Sequence, residues 1–238
     1  MLTGLRKGVC FGVALVMATP LAAENAVFVM SIRGIEAATL TLSGNTNAPR
    51  YRVTADVENS GMLGALRRVD YRGVASGRFA NGQFQPNEYR ETFNSGRRQS
   101  ETHIVYRNGV PDVLRYTSTR EAGPTAPDPA TQIGALDPLT TMFAVLRDIK
   151  PEQACRQSLN MFDGRRTGRV TMRPAGQKDG LPVCKGKYER LLGFTPKEVS
   201  RHTEFDFTMT YRPGPGGLIE VQRIAFNSVY GVAALDRR

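Results

Sequence analysis

The chain has 238 residues, a formal net charge of +10, 26 arginines against 6 lysines, and two histidines. This length suffices for one sizeable hydrophobic core, and mainly β chains of this size often form a single domain. The arginines are scattered along the chain rather than clustered, which indicates a solvated surface and no nucleic-acid partner. The positive excess also favours contact with an anionic membrane surface such as phospholipid headgroups.

The first 23 residues have the layout of a secretory signal peptide. Arg6 and Lys7 precede an uncharged run over 8–21, and Ala22 and Ala23 precede the first acid. The run is shorter than the roughly twenty residues that span a bilayer. We therefore expect cleavage after Ala23, a periplasmic location, and one domain over 24–238 whose net charge is +8 because two cations are removed.

Two cysteines remain after that cleavage, Cys155 and Cys184. In an oxidising compartment paired thiols usually form a disulfide. A bridge that closes about 30 residues stabilises a fold by roughly 3 to 4 kcal/mol. We expect this disulfide to fasten one subregion of the fold.

Alternation of apolar and polar residues dominates the chain and predicts strands. The segments with this pattern are 27–33, 37–43, 51–58, 69–79, 88–93, 100–107, 113–117, 159–162, 170–173, 183–192, 204–211 and 218–226. Short turn sequences such as Asn81-Gly82 and Asn108-Gly109 separate them, and strands joined in this way pair antiparallel. The pattern predicts a mainly β fold built on one long, curled antiparallel sheet.

Two segments break the alternation. Residues 120–135 are rich in Pro and Ala and predict an irregular loop, and 60–68 predict a short helical turn or an apolar loop at the rim. After the loop, Asp137 can cap a helix that Pro138 begins, and apolar residues recur at helical spacing up to Leu146. The spacing predicts an amphipathic helix over 137–147, whose apolar stripe needs the concave face of the sheet as a partner.

Reaction signatures are weak. There is no Gly-x-Ser-x-Gly elbow, which argues against a serine hydrolase. Glu101 with His103, and His202 with Glu204, each place a carboxylate and an imidazole on one strand face, and paired across the sheet they would supply four metal ligands. Surface residues are the simpler interpretation, so we expect no catalytic residue, no metal site and no cofactor, with a metal-dependent enzyme as an open alternative.

The segment 155–172 holds the most concentrated local pattern. Asp163-Gly164 favours a tight hairpin turn, and strand pairing should resume at Val170. This places Arg165 and Arg166 in solvent just past the turn. The hairpin is either a purely structural turn or also a small anion contact made by these two arginines.

Several stretches together resemble a family of exported bacterial proteins known only as a domain of unknown function. They are "FVMSIRGIEAATLTLSG", "YRVTADVENSGMLGAL", "LDPLTTMFAVLRD", "MFDGRRTGRV", "CKGKYERLLGF" and "SVYGVAALDRR", which cover essentially the whole mature chain. The resemblance implies an incomplete, curled β-barrel with a helix against its concave side, similar to periplasmic lipoprotein carriers and to envelope-integrity β-spiral proteins. It implies no catalytic residues.

An open curled sheet exposes its inner side chains unless something covers them, and one helix covers only a part. We therefore expect a non-enzymatic envelope protein that binds a hydrophobic or lipid-like ligand, or a lipidated partner, in its concave face. The expected ligand-binding residues are a movable helical plug and a strand wall, formed respectively by Leu139, Met142 and Phe143 and by Phe205, Phe207 and Met209. The alternative is a structural or protein-interaction role in envelope integrity with a self-filled interior, and the sequence leaves the oligomeric state open.

Overall fold

The computed structural model describes residues 24–46, 49–61, 69–119, 123–228 and 231–238. The predicted signal peptide and most of the apolar interruption at 60–68 lie outside these ranges. The described part contains thirteen strands, which are β1 (Glu24–Ile32), β2 (Ile35–Asn45), β3 (Arg50–Asn59), β4 (Asp70–Ala80), β5 (Gln83–Asn94), β6 (Gln99–Arg107), β7 (Val110–Ser118), β8 (Ser158–Phe162), β9 (Thr167–Lys178), β10 (Leu181–Leu192), β11 (Glu204–Pro213), β12 (Ile219–Ser228) and β13 (Gly231–Arg237).

All thirteen strands form one antiparallel sheet in the order β7-β6-β5-β4-β3-β2-β1-β13-β12-β11-β10-β9-β8. The sheet is a curled half-barrel that does not close, with β7 and β8 as its edges. The predicted fold class is therefore confirmed. Strand β13 was not predicted, and it is the strand that joins the two arms, because it pairs with β1 on one side and β12 on the other.

The alternation in sequence becomes alternation in burial. In β3, for example, Tyr51, Val53 and Ala55 are buried while Arg52 is exposed. The hairpins at Asn81-Gly82 and Asn108-Gly109 have positive φ at both residues, as the predicted turn sequences require. These tight turns keep neighbours in chain order as neighbours in the sheet.

The main helix, α1 (Pro138–Leu146), follows the predicted cap residue Asp137 and is slightly shorter than the predicted 137–147. It packs against β3, β4, β5 and the edge strand β8. Leu139 and Phe143 are buried, and the Phe143 ring lies where a side chain at Gly44 would otherwise stand. Burial of each such side chain stabilises the fold by about 1.5 to 3 kcal/mol, so α1 is an integral part of the core.

A crossing segment, residues 147–157, leads from α1 to the edge strand β8. Ile149 pairs with Ile219 of β12, and Cys155 forms the predicted disulfide with Cys184 of β10. A second helix of six residues, α2 (Pro196–Arg201), connects β10 and β11 and was not predicted. In the described part of the chain, no helix has both the length and the apolar character needed to cross a membrane.

Candidate functional site

The six predicted ligand-binding residues are distributed between the core and its margin. Leu139, Phe143 and Met209 are fully buried in the main apolar core, and Met142 and Phe207 pack against it. Phe205 lies elsewhere, half-buried with the Arg190 guanidinium 4.7 Å from its ring centre. The helical plug and most of the strand wall therefore belong to one apolar core, which they fill with their own side chains.

The direction of Phe207 has a local cause. Its ring lies over Gly186 of the neighbouring strand β10, at 2.1 Å from the position that a Cβ there would occupy. Because Gly186 has no side chain, the ring lies against the sheet backbone. The Phe207 ring therefore lies along the sheet surface, and it does not project from it as the alternating pattern had suggested.

A buried polar network fixes the start of α1. The Asp137 carboxylate accepts hydrogen bonds from the Thr140 backbone N–H at 2.8 Å and from the Thr140 hydroxyl at 2.6 Å. Since the Thr140 proton is used in this way, the Tyr51 hydroxyl donates to Thr140 Oγ1 at 2.8 Å. Burial raises the pKa of Asp137 to about 6, although the hydrogen bonds from Thr140 act to lower it. Displacement of α1 would break this network inside the core.

A second charged cluster fixes the segment that follows α1. Arg237 of β13 donates to Asp148 at 2.5 Å, and the Asp148 backbone N–H donates to the Glu24 carboxylate at 2.7 Å. Burial, and next the negative charge of Asp148, raise the pKa of Glu24 to about 7. Both ends of α1 are therefore held by polar contacts that join distant parts of the chain.

The hairpin between β8 and β9 differs from the prediction. Only Gly164 has a positive φ, and the Asp163 carboxylate accepts hydrogen bonds from the backbone N–H groups of Arg165 and Arg166 at 2.9 and 2.6 Å. The turn is therefore a four-residue connection built on Asp163 rather than a two-residue turn.

The predicted solvent position of Arg166 is wrong. Its side chain is 4 % exposed, with Asp163 at 3.6 Å and the Phe194 ring centre at 5.5 Å. Arg165 is half-buried over the ring of Tyr116. Because Arg166 already has an acidic partner, an external anion would need to compete with Asp163, and the anion contact at this hairpin stays a prediction.

The two histidines do not form the cross-strand arrangement considered above. His103 lies on β6 and contacts Glu88 at 2.9 Å, whereas His202 ends α2, just before β11 on the other arm of the sheet. The described residues contain no group of three or more His, Cys, Asp or Glu side chains placed to hold a metal ion.

The largest groove described on the molecule, about 980 Å³, lies beside the end of α1, next to the β4–β5 and β6–β7 turns. The turns that follow β4 and β6, the last turn of α1, the crossing segment and the edge strand β8 form its walls. Its apolar side chains include Phe84, Leu136 and Leu159, and Ile133 at its rim is 70 % exposed. We refer to it as the α1 groove.

The α1 groove is cationic. Arg78, Arg147 and Arg156 line it, and none of its lining residues is an acid. The Arg147 guanidinium lies 5.1 Å from the ring centre of Phe79 and 5.8 Å from that of Phe84, and burial lowers the pKa of this arginine. Sequence analysis missed this site because its arginines are far apart along the chain.

Two polar atoms of the groove are buried without a partner. The Tyr106 hydroxyl and Arg147 Nε have no hydrogen-bond partner among the described residues. Tyr106 is 9 % exposed, and burial raises the pKa of its hydroxyl, which therefore keeps its proton and can donate. The Nε atoms of Arg98, Arg165, Arg166 and Arg190 are unpaired in the same way, so an unpaired buried atom does not by itself mark this groove as a ligand site.

Comparison with known proteins identifies one family. A family model described as a protein of unknown function, DUF3108, matches residues 27–212. Comparisons with curated proteins and with solved structures gave no match.

Proposed function

We propose that this chain, which belongs to the DUF3108 family of proteins of unknown function, is a non-enzymatic binding protein of the cell envelope. Its ligand is a hydrophobic or lipid-like molecule, or the lipid chain of a lipidated partner. The signal-peptide pattern at the start of the chain supports a periplasmic location, and so does the Cys155–Cys184 disulfide, since such bonds persist in oxidising compartments.

The observation that carries the proposal is the α1 groove. Its volume of about 980 Å³ lies at the upper end of the range for small-molecule sites, and it combines apolar side chains with a few polar groups. The exposed Ile133 at its rim would be covered by a ligand chain. These features support an amphipathic ligand with one apolar and one polar part.

The α1 groove replaces the concave interior as the proposed site. A ligand behind α1 would have to displace Leu139 and Phe143, which are fully buried, and break the Asp137 network. The groove beside α1 requires neither change. The movement of α1 as a plug is therefore not needed for binding.

A fluorescent fatty-acid probe tests the proposal. Delipidated protein should take up the probe, and Ser158→Trp should weaken uptake at least tenfold, because Ser158 is an exposed residue that lines the groove and the indole would occupy its volume. Thr208→Trp, at an exposed strand position that lines a separate groove on β9 to β13, is the matched control and shows which groove takes up the probe. Absence of uptake by the unmodified protein, or equal uptake by both variants, would contradict the proposal.

The self-filled interior favours one rival function. With Leu139, Phe143 and Met209 fully buried, the half-barrel needs no ligand for its stability. A structural or protein-interaction role in envelope integrity would follow if the delipidated protein binds no probe.

A further inference from the structure

We propose that the α1 groove selects ligands with an anionic headgroup, a carboxylate or a phosphate ester, and binds that group through the guanidinium groups of Arg147 and Arg156. This inference rests on the proposed function and specifies its ligand class. Arg78 at the same groove adds positive charge.

The first argument is a local excess of positive charge. Many arginines of the described residues have an acidic partner, such as Arg237 with Asp148 and Arg223 with Asp236, each within 2.6 Å. By contrast, Arg78, Arg147 and Arg156 form no ion pair within 4 Å among the described residues, and the more distant Glu24 and Asp148 offset the charge of Arg147 only in part. Three cations around one concave surface attract an anion, and low-dielectric walls strengthen that attraction.

The second argument is that two aromatic rings orient the Arg147 guanidinium for contact with a planar anion. Its guanidinium stands against the rings of Phe79 and Phe84, which restricts its orientation. A guanidinium held in this way presents a fork of N–H donors that matches carboxylate and phosphate oxygens.

The third argument comes from the apolar residues of the groove. A headgroup held by Arg147 and Arg156 would leave its chain free to cover Leu159 and the exposed Ile133.

A comparison with the other large groove supports the assignment. That groove, about 530 Å³, crosses β9 to β13, and it contains Asp206 beside its lysines. One of these, Lys187, pairs with Glu204 at 2.6 Å. An acid therefore lines this groove directly, whereas no acid lines the α1 groove.

A series of twelve-carbon amphiphiles tests the headgroup preference. Laurate and dodecyl phosphate carry the two anionic groups, monolaurin is uncharged and dodecyltrimethylammonium is cationic, with inorganic phosphate as the chain-free probe. Isothermal titration calorimetry below the micellar concentration should give at least tenfold tighter binding of both anions than of monolaurin. The cation should bind most weakly.

Substitutions connect the preference to particular atoms. Arg156→Gln should weaken laurate binding roughly tenfold, since a hydrogen bond to a charged group is worth about 1.5 kcal/mol or more. Arg147→Gln should weaken it at least as much, and Arg147→Lys should restore only part of it because an ammonium lacks the planar fork. Arg52→Gln, an exposed arginine outside the groove, removes the same charge and should leave binding unchanged.

The melting temperature separates binding from folding. Because Arg156 is exposed, Arg156→Gln should leave the melting temperature unchanged while laurate binding weakens. A merely structural role would lower the melting temperature and leave binding intact.

The outcomes distinguish the two proposals. If monolaurin binds as tightly as laurate and Arg156→Gln has no effect, anion selection is wrong while the lipid-binding function stands. If inorganic phosphate binds as tightly as dodecyl phosphate, the apolar part contributes nothing, and the lipid-binding function fails although anion binding remains. If no amphiphile and no phosphate binds, both proposals are wrong.

Discussion

Asp137 combines two roles that oppose each other at neutral pH. Its carboxylate caps α1 and accepts both hydrogen bonds from Thr140, yet the side chain is entirely buried. Burial raises the pKa of Asp137 from 3.8 to about 6, so the folded protein holds a proton on this group more tightly than the unfolded chain does. The stability that this group contributes is present below pH 3.8 and is lost as the pH rises through about 6.

We predict that Asp137→Asn removes this pH dependence. Between pH 4 and 7, the free energy of unfolding of the native protein should fall by up to about 3 kcal/mol relative to that of the variant. This follows because folding raises the pKa of Asp137 from 3.8 to about 6, and each pKa unit is worth about 1.4 kcal/mol. Asn is also a good cap, so the variant should still fold. Urea unfolding at several pH values measures the difference.

Asp128→Asn is the control, because it makes the same replacement at an exposed aspartate that caps the short helical turn Pro129–Thr131. Glu24 and Glu91 also have a raised pKa, chiefly through burial, but they titrate equally in both proteins and cancel in the comparison. The prediction would be contradicted if the free energy of unfolding changed with pH in the same way for Asp137→Asn and for the native protein.

At the scale of elements, the crossing segment connects α1 to both arms of the sheet. Its Ile149 pairs with β12, and its Cys155 is bonded to β10. The same segment contributes Arg156 to the α1 groove. The disulfide therefore stabilises the fold and also holds one wall of the proposed site.

We predict that Cys155→Ala with Cys184→Ala lowers the free energy of unfolding by roughly 3 to 4 kcal/mol, the loop-closure term for a separation of 29 residues. Probe binding should weaken more in this double variant than in Thr208→Trp, because one groove wall loses its attachment. Urea unfolding and probe titration measure the two effects. Equal stability of the double variant and the native protein would contradict the prediction. As a control, a reducing agent should leave the stability of the double variant unchanged.

At the scale of the whole molecule, β13 determines whether there is one sheet or two arms. It supplies the hydrogen-bond partners of both β1 and β12, and its Arg237 binds the segment that follows α1. Without it, two strands in the middle of the sheet become unprotected edges.

We predict that deletion of residues 231–238 prevents cooperative folding. The truncated chain should aggregate through the exposed edges of β1 and β12, or unfold in urea with a much shallower transition. Size-exclusion chromatography and urea unfolding measure these outcomes. Deletion of Arg238 alone removes one backbone hydrogen bond to Val27 but keeps all of β13, so unfolding should stay cooperative with a small loss of stability.

The strands and the helix start could be predicted from the sequence, because both depend on a local pattern of residues. Twelve of the thirteen strands followed from alternation, and the cap at Asp137 located α1. Strand β13 was missed because Ala233 and Ala234 are adjacent and both buried, so apolar and polar residues do not alternate along this strand. Asp163-Gly164 predicted a turn, but nothing local indicated that Asp163 and Phe194 would bury Arg166.

The α1 groove could not be predicted for a different reason. Arg78, Arg147 and Arg156 come from a strand, a helix end and a connecting segment, and only the curl of the sheet gathers them. The predicted ligand residues were chosen for their apolar character, which is also what places them in the core. A binding site needs apolar groups that the fold leaves uncovered, and that property depends on the tertiary structure.

The pairing of β1 with β13 also sets an order of events during biosynthesis. The first strand of the sheet cannot acquire one of its two neighbours until the last residues have left the ribosome. Pairings between chain ends are slow to form, because a long loop must close first. The curled sheet is therefore completed only after all of β13 is available to pair with β1 and β12.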